Sequence, residues 1–538
     1  MKTTIRDTVL KAAASAALLL AGPLQAQAAT VQQLSVQSAV PDPLAGADAA
    51  KGTEGTKVAF TLFLPDTKPE GGYPLVLHAS GFGLPRLQAL PPRDTDPAAS
   101  YWARLDRLVP TLVERGFAVI SFDHRGHGGS GGDSRIMDPQ AEIADIRALV
   151  DWAERELPLR KGADGRARIG SIGGSYGGGY QMQLAQLEPR ITTVIPSMTW
   201  YDLQHSLAPQ GVLKEGFVQF ECFMAQRGKV RDGGLLRPLC DAAPKPGAWA
   251  WNDIGADAPR LRAAYQAHGT SGASWAGQPV RRVDALVVQA SEDVLFDMGE
   301  GLRNWRELKS GGGDVRLMVL RSGHVNPRAG QREKPARCGT VDAMDAMLAW
   351  LDAKLRDQGA GLSSVPSLCI ALDDGTAFQG PTPVAAQVGA ALAPTLVEAG
   401  ARGLRFVALP ADVLARQGAG AVLAGVPEAE LDVQPKAGPG VALVGLALRR
   451  RNGDVTLLSD QVVPVPPGRH RVALGGVAAR MQPGDELGVA LFATHAQYVW
   501  APASDTFAEA PVAGITADNA YAVSGRVWLP LSTDAAPQ

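Results

Sequence analysis

The stretch Ile172-Gly173-Gly174-Ser175-Tyr176-Gly177-Gly178 decides how this chain is read. It has the form G-x-S-x-G and lies between a short apolar run and the start of a helix. In that setting a strand ends in a sharp turn that holds a serine hydroxyl out beyond a sheet. Gly173 and Gly177 flank a turn so tight that a side chain at either position would collide with the adjacent strand or helix. The helix that follows aims its first N–H groups at the serine, which favours negative charge developing there. Glycine is abundant in the chain (61 residues), so the pattern gains its weight from what surrounds it.

Working outward, β-rich and helical stretches alternate. Residues 58–64 and 73–77 read as strands, with Ser80-Gly81-Phe82-Gly83 as a loop soon after. Residues 102–115 are helical by period, with Leu105, Leu108, Leu112 and Val113 on one face, and Pro110 predicts a kink or break. Residues 117–122 suit a central parallel strand covered on both faces, running into Asp123-His124-Arg125-Gly126-His127-Gly128-Gly129-Ser130. A helix follows over 139–157 with Asp138 as its N-cap. Residues 169–173 feed the serine turn, 178–187 form the helix after it, and 191–196 the next strand. This alternation implies βαβ units on a parallel sheet, an α/β fold whose ligand site lies beyond the carboxyl ends of the strands.

A serine hydroxyl is a poor nucleophile unless a base takes its proton, and the base needs an orienting acid. Strand 283–290 leads into Ser291-Glu292-Asp293, and strand 315–320 leads into Arg321-Ser322-Gly323-His324. An acid one loop past one strand and a histidine one loop past the next supply both partners in the order Ser, Asp, His. Ser175 is therefore read as nucleophile, His324 as general base and then acid, and Asp293 as orienting acid, with Glu292 as the rival acid. The oxyanion of a tetrahedral intermediate needs two N–H donors: the backbone of Tyr176 and a group near Gly81 or Phe82. His78, His124 and His127 are read as bracing residues, and Asp123 with Arg125 as a structural pair below the site.

The serine turn, Asp123-His124-Arg125-Gly126 and the Asp293 and His324 loops together resemble the α/β-hydrolase superfamily. Within it, the chain resembles the X-prolyl dipeptidyl-peptidase and cocaine-esterase-like acyl hydrolases, over roughly residues 50–355. The resemblance rests on Gly174-Ser175-Tyr176-Gly177, on Pro196-Ser197-Met198-Thr199-Trp200-Tyr201-Asp202-Leu203 where that family leaves the sheet to build a cap, and on the β-rich tail. Members of that family often use a tyrosine hydroxyl as the second oxyanion donor. The matching loop here, Ser80-Gly81-Phe82-Gly83, has none, so a backbone donor is expected instead.

Length and composition bound the rest. With 538 residues the chain exceeds one compact core, and roughly two or three domains are expected. Lys2, Arg6 and Lys11, the apolar run 12–22 and Ala26-Gln27-Ala28 read as a signal peptide over 1–28. The α/β-hydrolase domain is expected over 29–199 and 276–357, a mainly helical cap over 200–275, and a C-terminal β-sandwich, jelly-roll-like, over 358–538. The cap stretch is rich in aromatics, among them Trp200, Phe217, Phe220, Trp249, Trp251 and Trp275. Export to the periplasm or beyond permits disulfides. Of the three pairings that four cysteines allow, Cys222–Cys240 and Cys338–Cys369 are expected because they are neighbours in sequence.

The formal net charge of -2 and the lack of a basic cluster argue against nucleic acid. No stretch is long and apolar enough to span a bilayer, and no phosphate loop, dinucleotide fingerprint or metal-ligand cluster is present, so no cofactor or metal is expected. The expected partner is a small ester, amide or peptide. The leading reading is a secreted serine hydrolase, a broad acyl esterase. Its alternatives are an X-prolyl dipeptidyl aminopeptidase, which needs a carboxylate such as Asp202, Glu215, Glu221, Asp232 or Asp241 for the substrate amine, and a non-catalytic exported binding protein on a hydrolase scaffold.

Overall fold

The computed structural model describes residues 29–39, 55–242, 250–272, 277–324, 334–401, 403–415, 420–500, 513–514 and 518–532. The expected signal peptide, Trp249 and Trp275 lie outside the described residues.

Ten strands form one sheet: β1 (Thr30–Gln37), β2 (Lys57–Leu64), β3 (Leu75–Ala79), β4 (Ala118–Phe122), β5 (Ile169–Gly174), β6 (Thr193–Ser197), β7 (Asp284–Ala290), β8 (Val315–Leu320), β9 (Leu368–Ala371) and β10 (Ala377–Gln379). Their spatial order is β1-β2-β4-β3-β5-β6-β7-β8-β9-β10. From β4 to β9 every neighbouring pair is parallel, while β1, β2 and β10 join antiparallel. Every residue of β3, β4, β5 and β6 is buried, as a parallel sheet covered on both faces requires. One apolar cluster lies on each face: Leu75, Leu77 and Ile120 point into the first, Val76, Val119 and Ile172 into the second.

The covering helices are α1 (Tyr101–Leu105), α2 (Leu108–Glu114), α3 (Pro139–Glu156) and α4 (Tyr176–Leu187), then α5 (Leu203–Leu207), α6 (Glu215–Arg227), α7 (Arg237–Ala242) and α8 (Ala258–Ala267), and finally α9 (Met298–Ser310) and α10 (Ala343–Arg356). Asp138 caps α3 as expected, its side chain accepting from the Gln140 amide while Pro139 takes the first position. The break expected at Pro110 falls instead at Asp106–Arg107, between α1 and α2. Pro110 sits in the first turn of α2, where its missing N–H has no intrahelical partner to lose.

Helices α5 to α8 occupy the chain between β6 and β7, so the insertion is helical as expected. Cys222 of α6 is bonded to Cys240 of α7, and Cys338 to Cys369 of β9. Both expected pairings are present, and there are no free cysteines.

The boundary expected at 357/358 moves. β9 lies parallel beside β8 and β10 pairs with β9, so the large sheet continues to Gln379. The change of composition near Gly359 marks the end of helices, not the end of the sheet. Beyond it the structure is antiparallel. One sheet joins Val388–Val397, Ala520–Leu529, Glu428–Ala437 and Gly468–Ala473; another joins Arg405–Ala408, Glu486–Phe492, Ala442–Arg449 and Val455–Leu457, with Val463–Val465 alongside. Leu392, Leu431 and Val523 of the first meet Val444, Leu446 and Val489 of the second in one apolar core. That shared core is what defines a sandwich. The hairpin expected about Asn452-Gly453 is present, Ala447 facing Leu457 and Arg449 facing Val455.

Candidate active site

Ser175 stands between β5 and α4 with φ 57° and ψ −122°, a conformation that non-glycine residues rarely adopt. The turn is closed by close main-chain approach. A Cβ on Gly177 would lie 2.1 Å from the Ala79 carbonyl oxygen, and one on Gly173 would lie 2.3 Å from the Gly177 carbonyl oxygen. The glycines therefore stand where the sequence pattern requires them.

Ser175 Oγ lies 2.8 Å from His324 Nε2, and His324 Nδ1 lies 2.9 Å from Asp293 Oδ2. A carboxylate only accepts, so Nδ1 donates to Asp293 and Nε2 is left to accept from the serine hydroxyl. Asp293 is fully buried, and its other oxygen accepts the amides of Leu295 (3.0 Å) and Phe296 (2.9 Å). The His324 ring is held between the edges of Trp102 and Phe296, with centroids 5.1 and 5.0 Å away, and the Trp102 indole N–H donates to the Gly323 carbonyl at 2.9 Å. Glu292, the rival acid, turns to Arg321 and Lys334 instead.

Gly81 and Phe82 border the serine. A Cβ on Gly81 would lie 3.8 Å from Ser175 Cβ, and both residues share a cavity wall with Ser175. The Tyr176 amide opens α4 and has no intrahelical acceptor. The Tyr176 hydroxyl is used elsewhere, accepting from the Met137 amide at 2.9 Å, and burial pushes it well above the usual tyrosine range.

The three bracing histidines are occupied away from the serine. His78 bridges Ser121 (3.0 Å) and Asp106 (3.1 Å), and His124 meets Glu142 (3.1 Å). His127 donates through Nδ1 to the Arg125 carbonyl (3.0 Å). Burial, with His124 nearby, pushes the His127 imidazole down to about 4, so it stays neutral. The expected Asp123–Arg125 pair does not form. Asp123 pairs with Arg86 and accepts the Gly129 amide at 2.8 Å, and Arg125 pairs with Asp145, so each finds its partners elsewhere.

Two cavities meet at Ser175. One, of about 520 Å³, is walled by apolar groups such as Phe82, Trp200, Leu207, Leu239 and Phe296. The other, of about 760 Å³, is bordered by Gly81, Trp102, Phe220, Met224 and His324. Glu221 of α6 borders both, and burial raises its carboxyl to about 7 against the opposing pull of His324. Of the other acids proposed for an amine, Asp202 caps α5, Asp232 accepts the amides of Leu235, Leu236 and Arg237, and Asp241 faces Arg237. Sequence reasoning missed Trp102, Lys214 and Gln461. The last two hold the Asp293 loop and left no local signal.

His205, Asp297 and Glu300 could together face a metal ion, but Glu300 is already taken up by the amides of Tyr201 (2.6 Å) and Asp202 (2.7 Å) and by Arg303.

Comparison with known proteins fits this geometry. The sequence pattern of the X-Pro dipeptidyl-peptidase (S15) family matches residues 54–326. Among curated relatives, an uncharacterized 31.7 kDa protein of Escherichia coli is 32% identical over 91 residues, 17% of this chain and 30% of that protein. A monoacylglycerol lipase of Mycolicibacterium smegmatis is 28% identical over 131 residues, 24% of this chain and 40% of that protein. The chain thus spans well under half the length of these relatives.

Solved structures match at full length. A CocE/NonD family hydrolase from Staphylococcus aureus has a TM-score of 0.58 at 12% identity, covering 93% of this chain and 96% of that one. An aminopeptidase from a marine sediment Thaumarchaeota archaeon has 0.60 at 12% identity, covering 98% and 100%. An alpha-amino acid ester hydrolase has 0.57 at 14% identity, covering 94% and 97%. At such identities the likeness concerns the fold. With the family pattern running from just before β2 to the His324 loop, the chain belongs to the X-Pro dipeptidyl-peptidase (S15) family of serine hydrolases.

Proposed function

We propose that the protein is an exported acyl hydrolase that cleaves an ester or amide through an acyl-enzyme on Ser175. His324 takes the serine proton as Ser175 attacks, then delivers it to the leaving group; Asp293 holds the imidazole in the tautomer this needs. The amides of Tyr176 and of Gly81 or Phe82 receive the oxyanion. Water activated by His324 then releases the acyl group. The observation that carries this reading is the unbroken chain Ser175 Oγ, His324, Asp293 at 2.8 and 2.9 Å, opening onto two cavities.

His324 borders the larger cavity and not the smaller. Since the general acid must reach the departing atom, the larger cavity takes the leaving group and the smaller, apolar one takes the acyl group. An apolar wall of this kind supports broad acyl specificity.

One observation favours a second reading. Among the described residues Glu221 is the sole acidic side chain bordering the acyl cavity, and it reaches the serine side. A carboxylate there suits an acyl group that carries a free amine, as an aminopeptidase acting on X-Pro peptides requires. The two disulfides suit a protein that works outside the reducing cytoplasm.

The test uses the mature chain beside its Ser175→Ala variant, a fluorophosphonate probe, p-nitrophenyl esters and Xaa-Pro-p-nitroanilides. Labelling of the parent and not of the variant is expected. Ester turnover alone supports the esterase, and Xaa-Pro anilide turnover the dipeptidyl peptidase. A folded parent that neither labels nor turns over any substrate overturns both and favours a binding protein.

A further inference from the structure

The carbonyl groups of the Asp293 loop are held by side chains from three separate parts of the molecule. Gln289, on β7, donates through Nε2 to the carbonyls of Phe296 (3.0 Å) and Asp297 (3.1 Å). Lys214, the residue before α6, donates through Nζ to Val294 (2.7 Å) and Leu295 (3.1 Å). Gln461, on the sandwich, donates through Nε2 to Asp293 (2.7 Å) and Ser291 (3.4 Å). The loop that carries the acid therefore depends on the sheet, the cap and the C-terminal sandwich together.

We propose that Gln461 is a positioning residue for the reaction, through which the C-terminal sandwich fixes the carboxylate of Asp293 against His324. The inference rests on the acyl-hydrolase reading above.

Three observations carry it. Gln461 is buried, and its amide group makes its bonds to the acid residue's own carbonyl and to that of Ser291 two positions earlier. The sandwich is shaped around this side chain: a Cβ on Gly475 would lie 2.4 Å from Gln461 Cβ and 2.6 Å from its Oε1. The next residue, Gly476, abuts Met298 at the start of α9, where a Cβ would lie 2.7 Å from Met298 Cβ. The contact is thus built from both sides with no slack.

The chemistry follows from the geometry. Among the described residues Asp293 itself has no hydrogen bond to a strand of the large sheet; its Oδ1 is spent on the amides of its own loop, Leu295 and Phe296. Freeing the Asp293 carbonyl leaves the acid residue without its own outside support, while Lys214 and Gln289 still hold the carbonyls of 294–297, and lets Oδ2 move away from His324 Nδ1. A displacement of about 1 Å in such a site lowers turnover on the order of 100-fold. The carboxylate also favours the imidazolium form that exists in the transition state, and a looser contact favours it less. Among the described residues Asp293 is bonded to His324, Glu221 acts on it from the cavity wall, and Asp106, held by His78, borders the same cavity; a change at Gln461 touches neither Glu221 nor Asp106.

The test compares the full chain with Gln461→Met, Gln461→Glu and Gln461→Asn. The first two fill similar space without an N–H donor; the third keeps the donor one methylene short and packs most mildly. Each is assayed on one p-nitrophenyl ester, with kcat expressed per fluorophosphonate-titrated serine. The expected result is a fall in kcat of about 10- to 100-fold in Gln461→Met with KM within about twofold. Gln461→Glu should be worse, since its carboxylate faces two carbonyl oxygens. The acid limb of kcat/KM should move to lower pH.

A purely structural role would lower the amount of titratable enzyme and its melting temperature but leave kcat per titrated serine and the acid limb where they are. That outcome in any folded member of the set, Gln461→Asn included, overturns the inference. A parent that does not label at all overturns the acyl-hydrolase reading instead, so the two failures are told apart.

Discussion

Ser175 and Asp293 both follow buried parallel strands, β5 and β7, yet they are held by opposite means. The serine turn is fixed by close main-chain packing: Gly173 and Gly177 lie against main-chain oxygens of the turn itself and of Ala79 at the end of β3, at distances that admit no side chain. The acid loop is fixed from outside, by Gln289, Lys214 and Gln461. One end of the triad is written within seven residues. The other is assembled from groups as far as 168 positions from the acid itself. A local device is rigid and intolerant of change, while a distributed one can be weakened one support at a time.

The sharpest way to break this comparison is at the acid itself. Asp293→Asn should lower kcat about 10⁴-fold, because the amide leaves His324 in the wrong tautomer. Glu292→Gln, which loosens only Arg321 and Lys334, should stay within a few-fold in the same steady-state assay. Equal losses at both positions would mean that the acid is misassigned.

The local device is tested by Gly177→Ala. Its methyl would meet the Ala79 carbonyl oxygen at 2.1 Å and the Ser80 carbonyl oxygen at 3.0 Å, main-chain atoms that cannot swing aside. A loss of more than about 3 kcal/mol in urea unfolding, or no soluble protein, is expected. An alanine variant of full stability would show that the turn is not the rigid element described here.

The distributed device has a tether in the cap. Lys214 directly precedes α6, and Cys222 fixes α6 to α7 across 18 residues. Replacing Cys222 and Cys240 together by serine should lower stability by about 3 kcal/mol through the unfolded chain, read as a drop in melting temperature. Activity of the remaining folded enzyme on a small ester should change little.

The smallest effect concerns Glu221. Its carboxyl is raised to about 7 by burial, so the folded protein binds the proton more tightly than the unfolded chain does. Stability should therefore fall by no more than about 3 kcal/mol as pH rises from the ordinary glutamate range through 7, and level off above it. Glu221→Gln should flatten that slope in unfolding curves taken from pH 4.5 to 8.

The contrast also explains what could be read in the chain. The serine turn, the strand and helix alternation and the order Ser175, Asp293, His324 are local patterns, and the elements stand where they were expected. Four-residue β9 and three-residue β10 carry no comparable period, so the sheet was cut short at 357. The Asp123–Arg125 pair failed because adjacency in sequence says nothing about which way two side chains leave a turn; Arg86 and Asp145, the true partners, come from other elements. Glu221 could be named as one acid among five, but only the packing of α6 over the serine singles it out. Gln461 lies in a tail whose pattern records only its own sandwich.

The disulfides bear on how the chain reaches its fold. The bonded cysteines are 18 and 31 residues apart. Either of the other two pairings would close loops of about 100 residues or more, at about 1 to 2 kcal/mol more per loop in chain entropy. Oxidation of a still disordered chain is thus biased toward the correct set, and each bond forms within its own neighbourhood before distant segments have met. Maturation should need little thiol exchange, and refolding from the reduced state should give high yield with a simple oxidant.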